Sequence, residues 1–382
     1  MKTQLSQISP MQIPTWSWLR INDTSIAFEG EAGEYNGNPF GALPEGVTSS
    51  VPDPEHTIPL SLILESTAAY VMRESNHSVQ INIGANRAVG EPIILKYDQG
   101  QAGGRLVNRI HVKAAAGSSA KMVVQYVNGT NVPVFHSGLI TVELEEGARL
   151  HLTVAQMLGK QDTHAEAVEV LVHKDAVLDL VLAELGAASS AAAADVRLIG
   201  RGASGDMNCL YAAGENSGRE MNYRVSFEEK LTAGNIFARG VLNGGASKVM
   251  KNTLDFIGGS GGAKGREEES VLVLGDQVVN ISAPLLLCGE DNVEGQHATS
   301  IGRPDKDKLF YLMSRGFSEK EARKLLVEAA FSPILQKIPL PELKDDIQEM
   351  IQEVVSVRRH SLSTIEFEAA EADMGYKDAK EV

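Results

Sequence analysis

The chain has 382 residues, 43% hydrophobic and only 5% aromatic, enough to bury a sizeable core made largely of Val, Leu, Ile and Ala. Its formal charge of −15, from 35 basic against 50 acidic residues, argues against nucleic acid and anionic membrane surfaces, whose phosphates demand clustered Lys and Arg. With no apolar run near the ~20 residues of a spanning helix, no apolar stretch in Met1–Ser9 to mark a secretory signal, and only two cysteines, Cys209 and Cys288, a soluble protein of the reducing cytoplasm is expected.

Residues 1–80 read as an irregular N-terminal segment. Pro14, Pro39, Pro44, Pro52 and Pro54 interrupt any long element, with glycines filling the intervals. Trp16 and Trp18 fall on one face if that piece is extended, which suggests an edge segment pinned to the main body by two indoles.

Residues 81–303 carry a strand signal. Short runs alternate in period two, as in Val79-Gln80-Ile81-Asn82-Ile83, Ile140-Thr141-Val142-Glu143-Leu144, Leu150-His151-Leu152-Thr153-Val154 and Val177-Leu178-Asp179-Leu180-Val181-Leu182. Turn formers such as Glu145-Glu146-Gly147 separate them, and the interval between runs is often near ten residues. That interval fits a sandwich, a barrel or a solenoid. Glycine-rich corners (Gly200-Arg201-Gly202 and Gly258-Gly259-Ser260-Gly261-Gly262) and the scarcity of Asn-Gly hairpin signals favour a β-solenoid, although no strict repeat is readable.

Residues 304–382 switch to helical spacing. Leu309, Phe310, Leu312 and Met313 lead to Gly316, a C-terminal stop. Ser318-Glu319-Lys320-Glu321 is a capping box opening a helix with the stripe Ala322, Leu325, Leu326, Ala329, expected to end at Pro333. A third helix begins near Pro341, with Leu343, Ile347, Met350, Ile351, Val354 and Val355 on its apolar face and Arg358, Arg359 and His360 at its C-terminal dipole. An acidic tail from Glu366 to Val382 is expected to be mobile.

The chain announces no chemistry of its own. It contains no CxxC, no HExxH and no closely spaced histidine pair; His111, His136, His151, His164 and His173 are scattered and read as structural. Cys209 reads as a buried inert thiol, and Cys288 as inert though nearer a surface. The stretch Gly258–Gly265 lacks the Gly-Lys-Ser/Thr ending of a phosphate-binding loop and reads as a corner. His297, flanked by Gln296 and Ala298 at the junction of strands and helices, is expected to be accessible, and an accessible neutral imidazole can ligate iron. From the residues alone a structural role outweighs ligation.

The ordered set His297-Ala298-Thr299 with Ile301-Gly302, then Leu309-Phe310-Tyr311-Leu312-Met313-Ser314-Arg315-Gly316 and Glu321-Ala322, resembles the SufB/SufD family of the SUF iron–sulfur cluster assembly system. The resemblance is clear over roughly 239–338. It implies a mainly β fold, a right-handed parallel β-helix between an irregular N-terminal segment and a small C-terminal α-helical domain. In SufB-type members a cysteine precedes a Gly/Ala-Ala-His-Thr-Val-Pro-like strand and the junction reads Glu-His-Glu. Here Val278 takes the cysteine position, and Gln296 and Ala298 replace the acids. The chain is therefore similar to the SufD branch, some members of which have a cysteine where Gly295 stands. The resemblance implies a non-catalytic subunit that pairs with a SufB-like protein, places His297 as metal ligand or cluster-proximal residue at their interface, and docks a SufC-like ABC ATPase. Leu309, Phe310, Leu312, Met313, Arg315, Gly316, Leu325 and Leu326 are the expected docking residues. No cofactor would be held stably by the chain alone, though a transient iron–sulfur cluster could form at the SufB interface. A carbohydrate-active or carbohydrate-binding β-solenoid, and a standalone homodimeric scaffold, are the competing readings.

Overall fold

Among the described residues two long sheets face each other, one of nine strands and one of eight, parallel throughout except where the edge strand Val47–Ser50 runs antiparallel to His77–Ile83, and the chain alternates between them coil after coil. In this computed structural model the described residues are 37–52, 58–101 and 105–356, with shorter pieces of the first 35 positions (2–6, 8, 10–11, 13, 21–22, 24–29 and 35). Trp16, Trp18, Arg358, Arg359, His360 and the acidic tail lie outside the described residues.

The sheets enclose a narrow lumen. Successive coils stack equivalent residues, so that Ile81, Val112, Val142, Val170, Val196, Val225 and Leu254 form one continuous file across the first sheet. All of them belong to one buried interior cluster. The outward faces are also covered in the middle of the molecule. In the strand Thr163–Val172, Val168 and Val170 point to the lumen, whereas Ala165 and Ala167 lie beneath the N-terminal segment. Burial is consequently almost unbroken along such strands rather than alternating.

Coil length is unequal. Register partners are 26 residues apart from His164 to Ser190 but 32 apart from Ser247 to Val279. This variation conceals the repeat from a fixed-period reading. The corners absorb the difference, and Gly258–Gly262 is such a corner, with Gly259 at φ +104° and Gly262 at φ +80°, conformations open to glycine.

Among the described residues four α-helices accompany this stack. Helix α1 (Glu65–Glu74) packs Ala68, Tyr70 and Val71 against Val107, Phe135 and Leu139 on the outside of the first sheet. Past the last strand come α2 (Lys306–Ser314), α3 (Glu319–Leu335) and α4 (Pro341–Ser356). Val327, Phe331, Ile334 and Leu335 of α3, with Leu343, Ile347 and Ile351 of α4, cover Val181, Ala183, Leu210, Ala212 and Val241 of the second sheet. Each of the larger apolar side chains among them contributes about 1.5–3 kcal/mol by leaving water.

The capping box is present as expected: Glu321 N–H donates to Ser318 Oγ, and Ser318 N–H donates to Glu321 Oε2. Gly316, at φ +100°, follows the end of α2. Three details differ from the sequence reading. Pro333 lies inside α3, which continues to Leu335; proline deletes a single amide, and Gln336 N–H still reaches Ser332 O at 3.0 Å. The buried stripe of α3 runs through Ala322, Val327 and Phe331, leaving Leu325 and Ala329 exposed. Helix α1 was not expected; it is short, and its N-cap residue, Leu64, supplies no side-chain cap. Among the described residues no helix is long and apolar enough to cross a membrane.

Candidate functional site

The last coil, strands Val279–Cys288 and Glu294–Gly302, ends both sheets and has no neighbour beyond it among the described residues. Its burial collapses accordingly: almost every residue of Glu294–Gly302 is exposed, and Val279 and Ile301 present apolar side chains to solvent. An uncovered pair of strand edges offers unpaired backbone donors and acceptors to another chain.

His297 stands on that final strand and is exposed. It is in register with Glu267 on the strand Lys264–Val273, so both side chains leave the sheet on the lumen face. Gly295 lies on the same face. A Cβ there would come within 2.8 Å of Leu286 Cδ1 and 3.0 Å of Phe256 Cε2, so a cysteine at this position would require the Leu286 side chain to shift. Gln296 and Ala298 point the other way. Cys288 is exposed at the end of its strand, whereas Cys209 is buried in the lumen with its thiol pushed well up by desolvation.

Behind His297 the lumen is polar, a feature the sequence reading missed. Lys248 is fully buried and ion-paired with Glu269. Its ammonium also donates to Ser282 Oγ at 2.9 Å and Ile281 O at 3.2 Å. Tyr211 donates its hydroxyl to Glu269 Oε1 at 2.7 Å. Burial lowers the Lys248 pKa against the pull of Glu269. Burial also pushes Glu267 up to about 7, with the Asn252 amide, donating at 2.9 Å, opposing it. A signal for these residues did exist: counting back in twos from Phe256 puts Lys248 on the inward parity.

The second exposed feature is helical. Helix α2 buries none of its residues, and Phe310 is 73% exposed, with Tyr311, Met313 and, beyond the helix, Phe317 beside it. Of the expected docking residues, Phe310, Met313, Arg315, Gly316 and Leu325 are exposed, and Leu309, Leu312 and Leu326 are half-buried. Tyr311, Leu312 and Leu326 line a shallow cleft between α2 and α3. The Arg315 guanidinium lies 5.2 Å from the Tyr311 ring centroid.

A family model described as the SUF system FeS cluster assembly, SufBD core domain, matches residues 97–330, more than half of the chain. The chain belongs to this SufBD family. The match begins in the strand Ile93–Asp98 and ends within α3, so it takes in most of the solenoid, the whole last coil and α2. Among curated proteins, the iron–sulfur cluster assembly protein SufD of Bacillus subtilis is 24% identical over 292 residues, 73% of this chain and 66% of that protein. A SufBD family protein of Mycobacterium leprae is 25% identical over 302 residues, 77% of this chain and 76% of its own length. One from Staphylococcus haemolyticus is 23% identical over 222 residues, 57% of this chain and 48% of its own. The chain thus spans from about half to three quarters of these relatives.

Proposed function

We propose that this chain is a non-catalytic, SufD-like subunit of a cytoplasmic iron–sulfur cluster assembly complex, pairing with a SufB-like chain and docking a SufC-like ABC ATPase. The supporting observation is the uncovered last coil, where an exposed imidazole sits on the lumen face between two unpaired strand edges. A SufB-like solenoid laid against those edges would continue both sheets and close the lumen over His297. His297 would then supply one ligand to a transient cluster, with the remaining ligands coming from the partner. The apolar face of Phe310, Met313 and Leu325 is free of the solenoid and suits the ATPase, which would bring the driving force for conformational change. Competing carbohydrate recognition would need aromatic rings along a solenoid face. Among the described residues the strongly exposed rings, Phe310, Tyr311 and Phe317, lie instead on and just past α2.

The test is co-expression with a SufB-like chain and an ABC-type ATPase. A stable three-component complex is expected. Phe310→Asp should release the ATPase alone, and His297→Ala should leave the complex intact but lower reconstituted cluster yield severalfold. A chain that elutes only as its own homodimer in the presence of both partners, or wild-type cluster yield from His297→Ala, overturns the reading.

A further inference from the structure

Far from the last coil, the lumen holds a second polar cluster in its middle coils. His136 on the strand Phe135–Leu144 and His164 on Thr163–Val172 occupy the same register position in successive coils and are both fully buried. Their rings stack with centroids 4.8 Å apart, and their Nδ1 atoms are 2.8 Å apart. Glu166 on the same strand as His164, and Glu184 from the facing sheet, complete the group. One ligand atom from each of His164, Glu166 and Glu184 lies within 4.8 Å of the others. His164 Nε2 is 3.9 Å from Glu166 Oε2 and 4.0 Å from Glu184 Oε1, too far to be hydrogen-bonded to either.

Hydrogen bonding fixes which nitrogen is bare. Asn108 Nδ2 donates to the Tyr126 hydroxyl at 3.2 Å, so Asn108 Oδ1 accepts from His136 Nε2 at 2.7 Å. A neutral His136 with its proton on Nε2 can only accept at Nδ1, so His164 Nδ1 donates to it. His164 Nε2 is thereby left as a lone pair. It is wholly buried with no partner, and it faces two carboxylates, one of which has an unpartnered oxygen, Glu166 Oε1. These three electron-pair donors converge with the Arg219 guanidinium as the neighbouring cation, and an imidazole nitrogen with two carboxylate oxygens is the donor set of a transition-metal site.

We infer that His164, Glu166 and Glu184 bind one first-row divalent transition-metal ion inside the lumen, at a site separate from His297. One imidazole nitrogen and two carboxylate oxygens suit Mn2+, Fe2+, Co2+ or Zn2+ better than the all-oxygen preference of Ca2+ and Mg2+. The outer partners of such a site are already in place. His136 orients His164, Ser190 Oγ donates to Glu184 Oε2 at 2.7 Å, and Tyr126 hydrogen-bonds Glu166. Room is kept by Gly138, where a Cβ would sit 3.0 Å from both Glu166 Oε1 and His136 Cε1.

A cavity of about 390 Å³ opens between the solenoid corner and α4, with Leu185, Gly186, Ala187 and Arg219 in its lining. Arg219 donates to Leu185 O, Ala187 O and Gly218 O. Glu184 is the residue immediately before that lining. A metal ion is held by deprotonated ligands, so uptake is expected to release protons.

The test uses the full chain, stripped with chelator and then both incubated and refolded with Co2+ as an optical probe. We expect about one Co2+ per chain, ligand-field absorption in the visible, proton release in weak buffer and a rise in Tm on loading. Glu166→Gln and Glu184→Gln mimic the protonated groups and should fold, yet weaken uptake by about tenfold or more and abolish the Tm rise. His297→Ala should bind Co2+ as the wild type does. The inference is overturned if the wild type retains no Co2+ by either route, if the two Gln variants bind it unchanged, or if His297→Ala alone removes it. Because His297 is the control, failure here leaves the assembly role standing, and the reverse also holds.

Discussion

The middle coils and the last coil are built from the same strands and corners, yet they do opposite things. In the middle, each strand has a neighbour on both sides and a second sheet facing it across the lumen, so Val142, Val170 and Val196 are sealed. At the end, the strand Glu294–Gly302 has a neighbour on one side only and keeps His297 and Ile301 in solvent. The helices repeat the contrast: Phe331 of α3 is 1% exposed against the second sheet, and Phe310 of α2 is 73% exposed. A stack stabilises its interior by repetition, and only its ends and appendages are free to meet partners.

Four substitutions sharpen that contrast. Phe331→Ala should be the most damaging, about 3–5 kcal/mol, because it opens a cavity between α3 and the solenoid; urea unfolding measures it, and a loss below about 1 kcal/mol would mean that α3 is not docked as described. Glu169→Gln comes next. This buried carboxyl on the outer face of the first sheet accepts from Ser61 N–H at 3.0 Å and lies near Asp195, Arg197 and Arg224. Burial foremost, then the like charge of Asp195, holds its pKa above the ordinary value of 4.5. The folded state therefore binds a proton that the unfolded state has lost, and its contribution is fully present below 4.5 and disappears as pH rises through the folded pKa. Relative to wild type, the variant should gain on the order of 1–2 kcal/mol between pH 5 and pH 9; equal pH slopes would refute the shift.

Ser318→Ala removes the capping hydroxyl of α3 and should cost about 1 kcal/mol, visible as faster amide exchange in its first turn. Phe310→Ala should change stability by less than about 0.5 kcal/mol. A larger loss would show that α2 packs on something within the chain rather than waiting for a partner.

Much of this architecture was legible in the sequence. Period-two runs identified strands, Ser318-Glu319-Lys320-Glu321 announced α3, and Leu343, Ile347 and Ile351 marked the buried face of α4. The glycines at 258–262 were correctly read as a corner. Exposure of His297 was also anticipated. The inward Lys248 and Glu267 were not: they interrupt the apolar parity that strand reading relies on. The His136–His164 pair was invisible because its members lie 28 residues apart, and coils of 26 to 32 residues give no fixed period to search.

By itself the sequence determined the local conformations and the family, since alternation, caps and an ordered motif act over a few neighbouring residues. Only the tertiary structure decided which side chains share the lumen, because that depends on the length of every corner between stacked strands. Corners of unequal length keep the strands in register across coils of 26 to 32 residues, and that stacking alone brings His164, Glu166 and Glu184 together while leaving His297 uncovered.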